Sequence, residues 1–127
     1  MSDRMTDTPV RGPDPTCLFC RIVAGDLPSD RVNEDDAIVA IRDIAPRAPT
    51  HVLLLTRDHI ASASELGADD GPLLGRIFVA AAEIARREGI ADRGYRIVTN
   101  VGAWGGQSVD HLHFHLLGGR ALSWPPG

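Results

Sequence analysis

Five residues near the C-terminus, His111-Leu112-His113-Phe114-His115, constrain the fold of this chain more than any other segment. Histidines alternate there with apolar residues. In an extended strand successive side chains point to opposite faces, and every second one lies about 7 Å from the last, so we expect three imidazoles on one face. Buried imidazoles are costly without polar partners. The row therefore predicts a strand that serves a bound metal or a transferred group.

Composition sets the class of protein. A chain of 127 residues with 43% hydrophobic side chains is long enough for one packed domain. A net charge of −4 argues against broad binding to nucleic acid or to an anionic membrane. No apolar run is long enough to span a bilayer, and the N-terminus lacks the apolar core of a signal peptide. We therefore expect a cytoplasmic protein.

The order of apolar runs and turn residues predicts the organisation of the domain. Residues 1–16 have no hydrophobic period and predict a disordered tail, with the domain over residues 17–127. The long helix should begin at Pro72 and end before Gly89. Early hairpin spacing and a single long helix favour an α+β fold with a mainly antiparallel sheet. The predicted strands, about five in number, are 31–33, 37–43, 51–56, 95–100 and 111–117, and the predicted short helices are 17–24 and 62–66.

A glycine-rich segment, residues 100–108, directly precedes the histidines. Its glycines allow positive φ, so successive N–H groups can converge on one anion, and its polar side chains add donors. Hairpin turns use the same residue types, so the segment alone also fits a plain turn. Beside a row of histidines it favours phosphoryl transfer, with an imidazole as the nucleophile. The candidate donors are Asn100, Gly102, Gly105, Gly106, Gln107 and Ser108.

Two cysteines, Cys17 and Cys20, have the spacing of a metal-binding pair. They can also form a disulfide or pack as free thiols. A structural disulfide is uncommon in the cytosol, and a thioredoxin-like pair needs a βαβ context that is not predicted here. Zinc requires two more ligands, which His59 and one member of the histidine row can supply. Structural zinc and packed thiols both remain open on spacing alone.

The row matches the His-φ-His-φ-His-φ-φ motif of the histidine triad superfamily, where φ is apolar, and the flanking segments resemble its Hint-type branch, the purine nucleoside phosphoramidases. The segment 17–25, Cys-Leu-Phe-Cys-Arg-Ile-Val-Ala-Gly, resembles the opening helix of that branch. The segment 43–51 resembles its ribose-binding loop. The segment 105–120 and the terminal Trp124-Pro-Pro-Gly127 complete the resemblance. It covers nearly all of the predicted domain.

The resemblance implies a homodimer in which two five-stranded sheets join. It implies that His113 attacks the α-phosphorus of a nucleoside 5′-phosphoramidate, or a related mixed anhydride, and that water hydrolyses the resulting nucleotidyl-histidine. The partner is then a purine nucleotide, such as AMP or an adenosine phosphoramidate, with no organic cofactor. This chemistry is reasonable, because a neutral imidazole held in one tautomer is nucleophilic near pH 7.

The resemblance also implies residue roles. Asp43 would accept hydrogen bonds from ribose; the alternative is that it serves only to initiate a turn. Ile41 stands where the branch usually has an aromatic residue, and Trp104 is a bulky insertion beside the site. The implied catalytic residues are His51, Ser108, His113 and His115; the implied base pocket is Ile22, Ile41 and Ile44; the implied phosphate-binding residues are Asn100, Gly105, Gly106, Gln107, Ser108, His113 and His115; and the implied zinc ligands are Cys17, Cys20, His59 and His111.

Three other functions fit the residues less well. One is a diadenosine polyphosphate hydrolase of the Fhit type, from which the loop 105–108 and the terminal Trp-Pro-Pro-Gly point away. Another is a nucleotide-binding scaffold with incidental catalysis. The last is a metal enzyme that uses its histidines as ligands, in which removal of the metal would stop turnover directly.

Overall fold

A five-stranded antiparallel sheet forms the centre of the protein, which a computed structural model describes over residues 11–127. The strands are β1 (Arg31–Glu34), β2 (Ile38–Arg42), β3 (Thr50–Thr56), β4 (Tyr95–Val98) and β5 (His113–Gly118), in the spatial order β1-β2-β3-β5-β4. The helices are α1 (Leu18–Val23) and α2 (Gly71–Arg87), and short 3₁₀ turns span Ala63–Glu65 and Ala68–Asp70. All four neighbouring strand pairs are antiparallel. The predicted α+β fold with one long helix is confirmed.

The two faces of the sheet are covered by different helices. Side chains alternate between faces along each strand, so neighbours in sequence enter different clusters. On β2, for example, Ala40 packs in the cluster below α2, whereas Ile41 packs in the cluster with α1. The α2 face buries the larger set, whose strand members are Ile38, Ala40, Val52, Leu54, Phe114 and Leu116.

Helix α2 has the predicted boundaries to within a residue. Pro72 occupies its first turn, where a missing N–H costs nothing, and Gly89 follows it with φ of 75°. Arg42 of β2 donates two hydrogen bonds, of 2.8 and 2.9 Å, to the carboxylate of Glu88 at the end of this helix. Arg42 therefore points to the α2 face, away from its neighbour Ile41. No helix within residues 11–127 has the length and apolar character needed to cross a membrane.

The histidine row does not lie wholly within one strand. Strand β5 begins at His113, two residues later than predicted. The preceding amides bond elsewhere, because Leu112 N donates to the Ile60 carbonyl and His111 N to that of Val109. The side chain of His111 nevertheless faces α1, as that of His113 does, while Leu112 packs with Phe114 on the opposite face.

The segment before α1 lies partly against the domain. Most of the predicted tail, residues 1–10, lies outside the described residues. Arg11 pairs with Asp70 at 2.6 Å, and its carbonyl accepts a hydrogen bond from the His59 amide at 2.8 Å. These contacts bring the chain past His59 before it enters α1.

Candidate active site

His113 lies at the start of β5 and is 6% exposed. Its Nδ1 is 2.6 Å from the backbone carbonyl oxygen of His111. A carbonyl oxygen can only accept, so Nδ1 carries the proton and a neutral ring has its lone pair on Nε2. The ring of Phe19 packs against it in a T-shaped arrangement, with centroids 4.9 Å apart. The contacts thus hold His113 in the tautomer whose Nε2 can act as a nucleophile.

A second hydrogen-bonded chain runs through His51 and His115. The Arg47 amide donates to His51 Nδ1 at 3.0 Å, so neutral His51 carries its proton on Nε2. That Nε2 lies 2.9 Å from His115 Nδ1 and therefore donates to it. The proton of neutral His115 is then on Nε2, as a donor. We call His51, His113 and His115 the histidine trio.

Burial keeps two members of the trio uncharged. It lowers the pKa of His115 to about 4, with smaller contributions from the neighbouring His113 and His51. Burial also lowers the pKa of His51, against an opposing effect of Asp43. Asp43 Oδ2 lies 3.4 Å from His51 Nε2, while Oδ1 accepts from the Ala45 amide at 2.8 Å. One carboxylate therefore both initiates the turn and lies beside the trio.

The side chain of Gln107 holds the glycine-rich loop between β4 and β5. Its Oε1 accepts a hydrogen bond from the Gly102 amide at 2.9 Å. Its Nε2 donates to the carbonyls of Ala61 and Val109 at 2.7 and 3.0 Å. All of these groups belong to the protein. The amide of Gln107 is thus committed to fixing the loop.

The loop folds tightly on itself. The N–H groups of Gly105 and Gln107 both donate to the Gly102 carbonyl oxygen, at 3.2 and 3.1 Å, and Gly106 also donates within the loop. Gly106 has φ of 88°, a conformation that favours glycine. Ser108, two residues further along the chain, is exposed. In this conformation the glycine amides are engaged inside the loop, and the side chain of Ser108 is accessible to solvent.

Cys17, Cys20, His59 and His111 form what we call the thiol–imidazole cluster. One ligand atom from each of the four lies within 4.8 Å of all the others. His111 Nδ1 is 3.3 Å from Cys17 Sγ and 3.5 Å from Cys20 Sγ, and His59 Nδ1 is 3.2 Å from Cys20 Sγ. Both cysteines are free thiols. The structure therefore brings together all four residues that the resemblance implied as metal ligands.

The protonation of His111 suits metal binding. Its Nε2 is 2.7 Å from the Thr56 carbonyl oxygen, to which it can only donate, so the lone pair is on Nδ1, facing the two sulfurs. A ligating histidine characteristically donates its other N–H to such a carbonyl. Burial raises the pKa of the Cys20 thiol, which a bound cation would oppose. Two sulfurs and two imidazole nitrogens are a tetrahedral zinc set, so this cluster could hold a metal ion.

A second group has metal-like spacing without the matching protonation. Ligand atoms of Asp43, His51 and His115 also lie within 4.8 Å of one another. The Arg47 amide occupies Nδ1 of His51, however, so Nε2 carries a proton where a cation would need a lone pair. The hydrogen bonds therefore suit this group to proton donation.

The apolar residues expected around a base occupy different environments. Ile22 and Ile41 are 8% and 5% exposed and pack in one cluster with Phe19, whereas Ile44 is fully exposed. Asn100 is half-buried just beyond β4. Phe19 was missed by the sequence reasoning. The available signal was its position between the two cysteines.

One family and two relatives place the chain among known proteins. The HIT domain family matches residues 24–122. Purine nucleoside phosphoramidase of Escherichia coli K12 is 46% identical over 105 residues, which are 83% of this chain and 88% of that protein. An uncharacterised HIT-like protein of Synechococcus elongatus is 47% identical over 110 residues, which are 87% of this chain and 96% of that protein.

A solved structure has a closely similar fold. That of a HIT family hydrolase from Legionella pneumophila has a TM-score of 0.87 and 49% sequence identity, covering 88% of this chain and all of that one. The family match over residues 24–122 includes the histidine-bearing strand. This chain therefore belongs to the HIT domain family and is an enzyme of the HIT hydrolase type.

Proposed function

We propose that this hydrolase cleaves the P–N bond of purine nucleoside 5′-phosphoramidates through a nucleotidyl intermediate on His113. The observation that carries the proposal is the tautomer of His113, whose Nδ1 donates to the His111 carbonyl and leaves Nε2 unprotonated. The 46% identity to the E. coli phosphoramidase supports the choice of substrate.

The first step is an in-line displacement at the α-phosphorus. The Nε2 lone pair of His113 forms a bond to phosphorus as the bond to nitrogen breaks, and the amine leaves with a proton passed from water through the Ser108 hydroxyl. Such transfers depend mainly on positioning and charge stabilisation. His115 Nε2–H donates to a phosphoryl oxygen, because its other nitrogen already accepts from His51. Water then attacks phosphorus as the bond to His113 Nε2 breaks, and the proton lost by that water neutralises the hydroxide left by the first step.

The nucleotide lies between the trio and α1 in this proposal. Asp43 accepts from the ribose hydroxyls through the carboxylate that lies 3.4 Å from His51. Ile22, Ile41 and Ile44 enclose the base. The phosphate side consists of Asn100, Gly105, Gly106, Gln107 and Ser108, of which Ser108 contacts the substrate and Gln107 fixes the loop.

The thiol–imidazole cluster holds zinc in this proposal. Cys17, Cys20, His59 and His111 are its ligands, and the ion supplies structural cross-linking of α1 to the start of β5. The nucleophile is a separate imidazole, so the chemical step needs no metal.

Two copies join through the outer edge of β4. The opposite edge strand, β1, carries charged residues and a register shift between Arg31 and Asn33, which discourage pairing. Strand β4 is regular. On the neighbouring strand β5, Phe114 meets Phe78 of α2 in a T-shaped arrangement, and Phe78 remains 49% exposed, which suits an interface between copies. Sedimentation at micromolar concentration should give a dimer, and a monomer would contradict this assembly.

Rapid quenching in alkaline denaturant, followed by intact-mass measurement, tests the reaction. Adenosine 5′-phosphoramidate is mixed with the wild type and with His113→Ala, and diadenosine polyphosphate is compared as substrate. We expect one adenylyl adduct on the wild type, none on the variant, and a higher kcat/KM for the phosphoramidate. An adduct that persists on His113→Ala, or preference for the dinucleotide, would overturn the proposal.

A further inference from the structure

Phe19 lies between the two cysteines of α1 and touches both groups of histidines. It is 6% exposed. Its ring is T-shaped to His113 at 4.9 Å and 83°, and to His111 at 5.9 Å and 80°. Phe19 thus lies between the thiol–imidazole cluster and His113, and its ring contacts one imidazole of each group.

One hydrogen bond holds the ring of His113, and two aromatic rings contact it. The bond from Nδ1 to the His111 carbonyl fixes one atom, about which the imidazole plane can still tilt. On one side His113 meets His115, with centroids 5.1 Å apart and planes at 60°. On the other side it meets Phe19. Phe19 is therefore well placed to fix the direction of the Nε2 lone pair.

Helix α1 carries Phe19 and has only six residues. A helix this short is not stable alone, so its position depends on tertiary contacts. Those contacts are the buried side chains of Phe19, Cys20 and Ile22, together with the sulfurs that face His111 and His59. Anything that fixes the cysteines also fixes the ring between them.

We propose that Phe19 is a positioning residue for His113, which holds the imidazole in its Nδ1–H tautomer with Nε2 directed at the substrate. For catalysis this inference rests on the proposed nucleophilic role of His113. The geometric part, the orientation and tautomer of the ring, stands without it.

Nitrogen-15 NMR of the histidine side chains tests the geometric part on the substrate-free, zinc-loaded full-length protein. The variant is Phe19→Leu, which keeps an apolar side chain and removes the ring. Phe19→Tyr restores the ring, and Leu18→Ala is a matched control at an exposed position of the same helix. We expect the one-tautomer signature of His113 in the wild type, Phe19→Tyr and Leu18→Ala, and a mixed or broadened one in Phe19→Leu.

Saturating phosphoramidate tests the catalytic part. An aromatic pair contributes enough to change a rate about 2- to 10-fold, so kcat of Phe19→Leu should fall by that factor while zinc content is unchanged. An unaltered His113 signature in Phe19→Leu would overturn the inference, as would an equal change in Leu18→Ala or a change explained by lost zinc. Phe19→Met carries the same test if the leucine variant does not fold. An inactive wild type would overturn the proposed function alone, because the NMR arm is independent of turnover.

Discussion

The thiol–imidazole cluster and the histidine trio lie close together, and each uses histidine side chains for a different purpose. In the cluster, His111 donates Nε2–H to the Thr56 carbonyl and turns the Nδ1 lone pair to two sulfurs. In the trio, His113 donates Nδ1–H to a carbonyl and keeps Nε2 for a substrate. Which nitrogen the backbone engages therefore decides whether an imidazole is suited to be a ligand or a nucleophile.

Distance alone does not make this distinction. Asp43, His51 and His115 approach one another as closely as the four cluster residues do. The difference lies in the Arg47 amide, which forces His51 to present a proton to His115. Each group can therefore be disabled separately, and substitutions in each test whether the separation is real.

Replacement of His113 should have the largest effect on activity. His113→Ala removes the nucleophile, and we expect kcat to fall by about 10³- to 10⁶-fold, as when other catalytic nucleophiles are removed. Zinc content should stay at the wild-type level, because no cluster residue changes. Steady-state kinetics and metal analysis of the same sample measure both. Turnover within tenfold of wild type, or lost zinc, would show that the two groups are not separate.

Replacement of Cys20 should have the converse effect. Cys20→Ser removes a ligand that lies near both imidazoles of the cluster. We expect zinc affinity to fall at least about 100-fold and the thermal midpoint to fall with it, since structural metal binding contributes to folding. Activity of the remaining folded protein at low temperature should change much less. Prompt loss of turnover on chelation, before any unfolding, would instead support catalysis by the metal.

Replacement of His51 should reduce activity without touching the cluster. His51→Leu removes the donor to His115 Nδ1, and we expect kcat to fall about 10- to 100-fold, the usual cost of losing such an orienting partner. His51→Gln keeps an N–H donor and is the matched control, with a smaller loss. Equal losses in the two variants would mean that burial at this position matters and the donated hydrogen bond does not.

The smallest effect should be a pH dependence of stability. The pKa of His115 falls from 6.5 to about 4 on folding, so below pH 6.5 the unfolded chain binds a proton that the folded chain does not. Stability should therefore decline as the pH falls from 6.5 toward 4. The measurement is the free energy of unfolding by denaturant as a function of pH, for Cys20→Ser and for Cys20→Ser combined with His115→Gln. Both proteins carry the Cys20 substitution, so titration of the thiol–imidazole cluster is common to them. Equal slopes against pH would contradict the assignment.

The sequence predicted the elements more completely than the side-chain directions. The alternation of His113, Phe114 and His115 correctly predicted a strand with two different faces. The same alternation wrongly extended that strand to His111, because the pattern cannot reveal that the amides of 111 and 112 bond outside the sheet. The sequence predicted Gln107 as a phosphate donor. Its observed partners, the Gly102 amide and the Ala61 carbonyl, are brought together only by the folded loop.

The amino-acid order by itself determined the sheet and the long helix, which follow from local periodicity, and the family motif, whose resemblance implied the four side chains that could hold a metal ion. Tertiary structure decided the protonation of His51, His111 and His113 and placed Phe19 against the ring of His113. The groups that assign these protons, the Arg47 amide and the carbonyls of Thr56 and His111, belong to the backbone. Every residue carries such groups, so only their positions in space, and no residue type, can assign a proton to one nitrogen.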